Sequence, residues 1–291
     1  MRKNDPDLIV GNGYLKFKDF KRFVDKHPYI ESIELSFCGE IFLNPELLEI
    51  IEYAHKKNIE LTAFNGVNFN TVSDEMLEAL VKYKFTGITF SIDGTTQETY
   101  QKYRRNGNIN KVFENIKKLN SYKKQYNSIF PLLTWQYITF EHTIHEIKNT
   151  DKLKDELGIH LIFFKYPWSE ECHSKEALIE ISKLKKETKT NIKYDFKEKS
   201  IHPCLFLWLR PQINWNGKLL GCFCSTHHDM NINVFNTSLK KALKCKKIEH
   251  TKNILMGKIP VDTTVECHRC VFYKNLKNKN RFINESYIKF I

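Results

Sequence analysis

The 291-residue sequence contains no apolar run long enough to cross a bilayer. A run such as Leu161-Ile-Phe-Phe164 is the size of a strand, whereas a spanning helix needs about 20 apolar residues. The start, Met1-Arg-Lys-Asn-Asp-Pro6, lacks the apolar segment of an export signal. The expectation is a cytoplasmic protein in a reducing compartment, where eight cysteines point to metal binding rather than disulfides. A single basic stripe with interleaved aromatic residues is missing too. The formal net charge of +12 is spread along the chain in lysine pairs such as 56–57, 117–118 and 240–241, mostly on the outer faces of predicted helices. Nucleic acid is therefore not the expected partner, and neither is a membrane.

What is present is material for a packed globule. Apolar residues make up 41% of the chain, with 21 Phe, enough for one large domain or a large one plus a small one. Phe17, Phe20, Phe23 and Val24 share a helical face that Pro28 ends. Strands are expected over residues 30–37, 59–64, 85–92, 132–140 and 159–166, alternating with helices that begin at Pro45, after the Ser73 cap, at Gln97, Ile109 and Thr143, and after Ser174. Gly158 should stop the helix that begins at Thr143. Alternation of this kind means βα units on a parallel sheet, which right-handed crossovers curl toward a barrel segment. The chain opens on a helix rather than a strand, and from about Ile201 the pattern changes to short strands, turns and cysteines.

Four of those cysteines are spaced C-x17-C-x44-C-x2-C: Cys204, Cys222, Cys267 and Cys270. Between the first two, residues 211–220 read as a hairpin with Asn216-Gly217 as a primed turn, which returns the chain on itself. Cys267-His-Arg-Cys270 is a knuckle that presents two thiolates to one ion or cluster. Four soft ligands form a metal site, for which zinc and an iron–sulfur cluster are both suitable occupants. A second group of residues falls where parallel strands end. Phe37-Cys-Gly-Glu40, Phe64-Asn-Gly66 and Ser91-Ile-Asp-Gly94 each set a glycine beside a polar or acidic side chain. Glu40 could pair with an ammonium, while Asn65, Ser91 and Asp93 could hydrogen-bond hydroxyl or carboxylate groups.

Taken together, these stretches resemble a radical S-adenosylmethionine (SAM) protein of the SPASM/twitch group over nearly the whole chain. Gly39-Glu40 followed by Leu43-Asn-Pro45 resembles the family's glycine–glutamate motif, whose acid meets the methionyl amine of SAM. Phe64-Asn-Gly66 resembles its T-N-G stretch. Ser91-Ile-Asp-Gly94 with Tyr100, Arg104, Gly107 and Asn115-Ile116 is similar to a run that lies near SAM and substrate. The resemblance implies Gly39, Glu40, Asn65, Ser91, Asp93 and Arg104 as cofactor-binding residues. Cys204-x12-Gly217-x4-Cys222 is similar to the opening of the SPASM signature. Because no cysteine follows Cys270, the four-cysteine set resembles the twitch form, with one auxiliary [4Fe–4S] cluster on Cys204, Cys222, Cys267 and Cys270 and with Cys224 and Cys245 as non-ligands.

The implied fold is α/β: a partial (β/α)6 TIM-like barrel missing its first strand over residues 1–200, plus a small cysteine-rich SPASM/twitch domain over 201–291. The implied partners are a peptide or small-molecule substrate and a reductant such as flavodoxin or ferredoxin. One departure cuts across the resemblance. The family's C-x3-C-x2-C loop, which holds the SAM-cleaving cluster after the first barrel strand, occurs nowhere in the sequence. Cys38 sits in a later loop and Cys172 stands alone. The expectations are an N-terminally shortened reading frame, SAM binding that is weak or absent, no assignable catalytic residue, and self-association through the strand at 30–37. The alternative is a non-catalytic scaffold that holds zinc or an iron–sulfur cluster on its four cysteines.

Overall fold

Five parallel strands in the order β1-β2-β3-β4-β5 form the larger sheet. They are β1 (Ser32–Glu34), β2 (Glu60–Val67), β3 (Gly87–Ser91), β4 (Leu132–Ile138) and β5 (Leu161–Lys165) in this computed structural model, which describes residues 9–37, 39–165, 203–222, 225 and 227–284. The helix expected after Ser174, together with Cys38, Cys172 and Cys224, lies outside the described residues. The helices between the strands are α2 (Leu47–Lys56), α3 (Asp74–Lys82), α4 (Gln97–Tyr103), α5 (Ile109–Gln125) and α6 (Thr150–Glu156), and α1 (Phe17–Lys26) precedes them. The chain forms two compact units, residues 30–195 and residues 1–29 with 196–291.

In the first unit the sheet has two unlike faces, because strand side chains alternate. Leu61, Ala63, Ile88, Phe90, Leu133, Trp135 and Ile162 are buried on one face. Ile50, Leu80 and Ile116 of α2, α3 and α5 are at most 1% exposed, as expected for crossover helices returning over that apolar side. The other face carries Thr62, Thr89, Ser91, Thr134 and Gln136, with Phe64, Leu132 and Leu161 at 45%, 41% and 47% exposure.

Boundaries differ from the sequence expectation where side chains intervene. Strand β1 spans only Ser32–Glu34, because the Glu34 carboxylate accepts the backbone N–H of Phe64 at 3.0 Å and that of Ser36 at 3.0 Å, and so takes donors a longer ladder would use. That leaves a three-residue edge strand bearing a charge. Helix α2 starts at Leu47 rather than Pro45, since the Asn44 side chain accepts from Glu46 N–H at 3.0 Å and shapes a turn first. The helix expected from Thr143 splits into a 3-10 segment, Glu141–Asn149, and α6. There the Thr143 hydroxyl bonds the Phe140 backbone, and Glu146 turns inward.

In the second unit, Phe20, Phe23 and Val24 of α1 are buried, and the Phe23 ring meets Phe235 at 6.2 Å. His27, 1% exposed, ties the end of α1 to Leu239: Nδ1–H donates to Phe23 O at 2.7 Å and Nε2 accepts from Leu239 N–H at 2.9 Å. Replacing both functions with a hydrocarbon strands a buried N–H. His27→Phe should therefore lower stability by about 2 kcal/mol, read as a lower urea midpoint with unchanged slope. The hairpin pairs β6 (Gln212–Ile213) with β7 (Leu219–Gly221). Its turn is not the expected primed type. Asn214 O accepts from Gly217 N–H and Asn214 N–H donates to Lys218 O, both at 2.9 Å, and of the Asn216-Gly217 pair only Gly217 (φ +85) is left-handed. This is a type I turn closed by a glycine bulge, a three-residue loop that keeps the hairpin's direction while shifting its register.

Candidate functional site

The sheet-edge residues collect at the carboxyl ends of β2, β3 and β4, where parallel sheets bind ligands. Ser91, the last residue of β3, pairs in register with Gln136 on β4. On the other side lies Gly66 (φ +100) of β2, where a Cβ would run into the Ser91 hydroxyl and stand 3.3 Å from Gln136 Nε2. The Ser91 hydroxyl and the Gln136 amide thus lie directly against the Gly66 backbone, where a side chain on residue 66 would not fit. Gln136 is 5% exposed, and its Oε1 is buried without a hydrogen-bond partner. Sequence reasoning passed over Gln136, although an amide inside the otherwise apolar and aromatic run of a central strand was the available signal.

Glu40 sits where its loop meets the end of β2. Its oxygens accept from Phe42 N–H at 3.2 Å and Asn68 N–H at 2.6 Å. Burial raises its pKa above the usual carboxylate value, although those backbone donors and the Arg104 charge pull the other way. Gly39 (φ +96) is exposed, with nothing near the position of a Cβ. Asn65 keeps its side chain exposed while its backbone N–H donates to Ser36 Oγ at 3.0 Å. The structure thus groups Ser91 with Gly66 and Gln136, and Asp93 with Arg104 and Glu40.

Asp93 is fully buried. It accepts from Ile138 N–H at 2.7 Å and pairs with Arg104 Nε at 2.6 Å. The remaining motif residues build the platform around this pair. Gly94 and Gly107 are crowded by Tyr100, whose hydroxyl accepts from Asn70 at 2.8 Å, and Asn115 Nδ2 donates to Phe69 O at 2.7 Å. Glu146, also missed from sequence, fastens the loop after β3 through Thr95 N–H at 2.7 Å and the Thr99 hydroxyl at 2.9 Å. Arg104→Met leaves a buried carboxylate facing a methylene chain and should cost about 3 kcal/mol of stability. Adding Asp93→Asn should recover part of that loss, which a double-mutant cycle by thermal unfolding measures.

The four cysteines all lie in the other unit. Cys204 lies in the 3-10 turn Pro203–Leu205, Cys222 directly follows β7, Cys267 lies in the 3-10 turn Glu266–His268, and Cys270 caps α8 (Val271–Asn278). Cys204 and Cys267 are 7% and 5% exposed. Burial pushes the Cys204 thiol far up, and the charges of Cys222, Cys267 and Cys270 push it further. Burial does the same for Cys267, again with Cys222 and Cys270 adding. Buried thiols pushed up in this way need a cation beside them to become thiolates. Among the described residues no group of three or more His, Cys, Asp or Glu side chains converges as a single-ion cage, so these thiols stand as a spaced quartet. Cys245, at the start of α7 (Lys246–Leu255), directs its sulfur to Met230 O at 3.9 Å.

Residues 19–147 match the family model of the Radical SAM superfamily. Solved structures of SuiB from Streptococcus suis are similar in fold. The SuiB structure bound to S-adenosylmethionine has a TM-score of 0.60 at 14% identity, covering 91% of this chain and 66% of that one. The SuiB structure bound to the precursor peptide SuiA gives 0.59 at 14% identity, with 90% and 64% covered. The first SuiB structure gives 0.54 at 12% identity, with 77% and 58% covered. The chain therefore spans between about three fifths and two thirds of the SuiB chains it resembles. No curated protein matches it. Among the described residues no helix is long and apolar enough to cross a membrane.

Proposed function

We propose that this chain is a radical SAM/SPASM-type iron–sulfur protein whose four cysteines, Cys204, Cys222, Cys267 and Cys270, hold one auxiliary [4Fe–4S] cluster and whose sheet edge receives SAM. The observation that carries this reading is the set of four cysteines in one compact unit, with Cys204 and Cys267 buried. Tetrathiolate is a donor set suited to such a cluster. At the sheet edge, Glu40 would meet an ammonium group, and Ser91 with the unpartnered Gln136 Oε1, packed against Gly66, would meet hydroxyl or amine donors. Asp93 and Arg104 act on each other and shape the loop beneath.

A bound cluster would supply a one-electron store or an iron on which substrate can be held, and SAM a cleavable sulfonium bond. The proposed substrate is a peptide, in keeping with the peptide-bound SuiB structure of similar fold, and the proposed electron source is a small reductant protein such as flavodoxin or ferredoxin. As a chain without C-x3-C-x2-C, it would not cleave SAM by itself. Anaerobic purification tests the cluster assignment. A brown protein with broad visible absorbance and about four irons per chain supports it, whereas a colourless chain carrying one zinc ion would make the four cysteines a zinc scaffold.

A further inference from the structure

Glu266 is an odd neighbour for a thiolate site. Its carboxylate precedes Cys267 directly, and its side chain is only 12% exposed. An anion placed beside four thiolates is repelled by them, so a residue chosen only for packing would not be acidic here. The carboxylate instead joins two segments that carry three of the four thiols. Within the knuckle it accepts from Arg269 Nε at 2.8 Å. From the segment after Cys222 it receives His228 Nδ1 at 3.1 Å and the His227 backbone N–H at 3.4 Å, with the His227 ring nitrogen 3.7 Å away.

That segment is in turn bound to Cys222. Ser225 N–H donates to Cys222 O at 3.1 Å, and the Ser225 hydroxyl donates to His228 O at 2.5 Å. The His228 ring also stands edge-on to His268 at 5.7 Å. A continuous set of bonds therefore runs from Cys222 through Ser225, His228 and Glu266 into the Cys267–Cys270 knuckle. Cys222 and Cys267 are separated by 44 residues, and this set of bonds links the two segments.

We propose that Glu266 is a positioning residue for the four-cysteine site: through His227, His228 and Arg269 it sets the spacing of Cys222 against Cys267 and Cys270 at which all four thiolates close on one cluster. The inference rests on the reading of these cysteines as iron–sulfur ligands.

The test compares wild type, Glu266→Ala and Glu266→Gln after anaerobic reconstitution with ferrous iron and sulfide. Iron loss to a ferrous chelator and the reduction potential are the readouts. Glu266→Ala should lose iron about tenfold faster than wild type and show a higher potential, because an anion next to Cys267 is gone. Glu266→Gln, which keeps an acceptor oxygen but not the charge, should raise the potential while keeping most of the resistance to chelator. Equal iron loss from wild type and Glu266→Ala overturns the proposal. Should Glu266→Ala fail to fold by circular dichroism, His228→Leu removes one arm of the clamp, and it must then speed iron loss. Should the wild type take up zinc and no iron, the iron–sulfur reading fails separately. Zinc release to a chromogenic chelator from the same variants then decides the positioning role, with equal rates overturning it.

Discussion

Reconstituted anaerobically with iron and sulfide, then reduced with dithionite in the presence of SAM, the 291-residue chain should release no 5′-deoxyadenosine above a protein-free control. Reductive cleavage needs a cluster with one iron left open for SAM, held by three closely spaced thiolates on one loop. No C-x3-C-x2-C is found among the eight cysteines. The four cysteines of residues 204–270 lie in one compact unit, and a cluster held by all four would have no open iron. Detection of 5′-deoxyadenosine at a rate that follows protein concentration would show that one of those four is not a ligand and that the site is open.

The second large effect concerns the quartet itself. Cys267→Ser should reduce bound iron from about four atoms to less than about one per chain, and Cys204→Ser should do the same, because both thiols are buried among the others. Cys245→Ser should leave the iron content at the wild-type value, since its sulfur is directed to Met230 O. Iron and sulfide analysis with visible absorbance gives the answer. Full iron in Cys267→Ser, or iron lost in Cys245→Ser, would redraw the ligand set. Low iron in all three together with the wild type would instead remove the cluster from the reading.

Much of the first unit was legible because it depends on local rules. Helix α4 was expected to run from Gln97 to Tyr103 and does so; Ser73 was read as the cap of α3, and its hydroxyl accepts from Met76 N–H at 3.2 Å. Gly158 (φ +62) ends the turn after α6. The parallel order of five strands followed from strand–helix alternation, since an antiparallel neighbour would not need a crossover helix between each pair. The errors arose where a side chain took over the work of the backbone. Glu34 shortens β1 by accepting a backbone donor of the neighbouring strand β2, and Glu146 faces inward to secure Thr95 and Thr99. Both residues look like ordinary surface acids in sequence. The hairpin turn was misjudged for a similar reason, because Asn-Gly permits a primed turn without requiring it.

The candidate sites divide in the same way. The residue types at the sheet edge and the cysteine spacing were visible in one dimension, because chemistry is carried by side-chain identity. That Gln136 holds an unpartnered oxygen beside Ser91, and that Glu266 joins the segment of Cys222 to the knuckle, depends on pairs 45, 39 and 38 residues apart.

By itself the sequence determined the βα alternation, the spacing of the four cysteines and the polar strand ends, since each of these is a property of residue type and short spacing. The tertiary structure decided which polar groups are already consumed by the fold. Asp93 is paired with Arg104, while the Gln136 oxygen is left unpaired. It also decided that α1 packs with the C-terminal segment, through the His27 bond to Leu239. A hydrogen bond between positions 212 residues apart has no trace in local pattern, because what selects it is the shape of the space the rest of the chain leaves open.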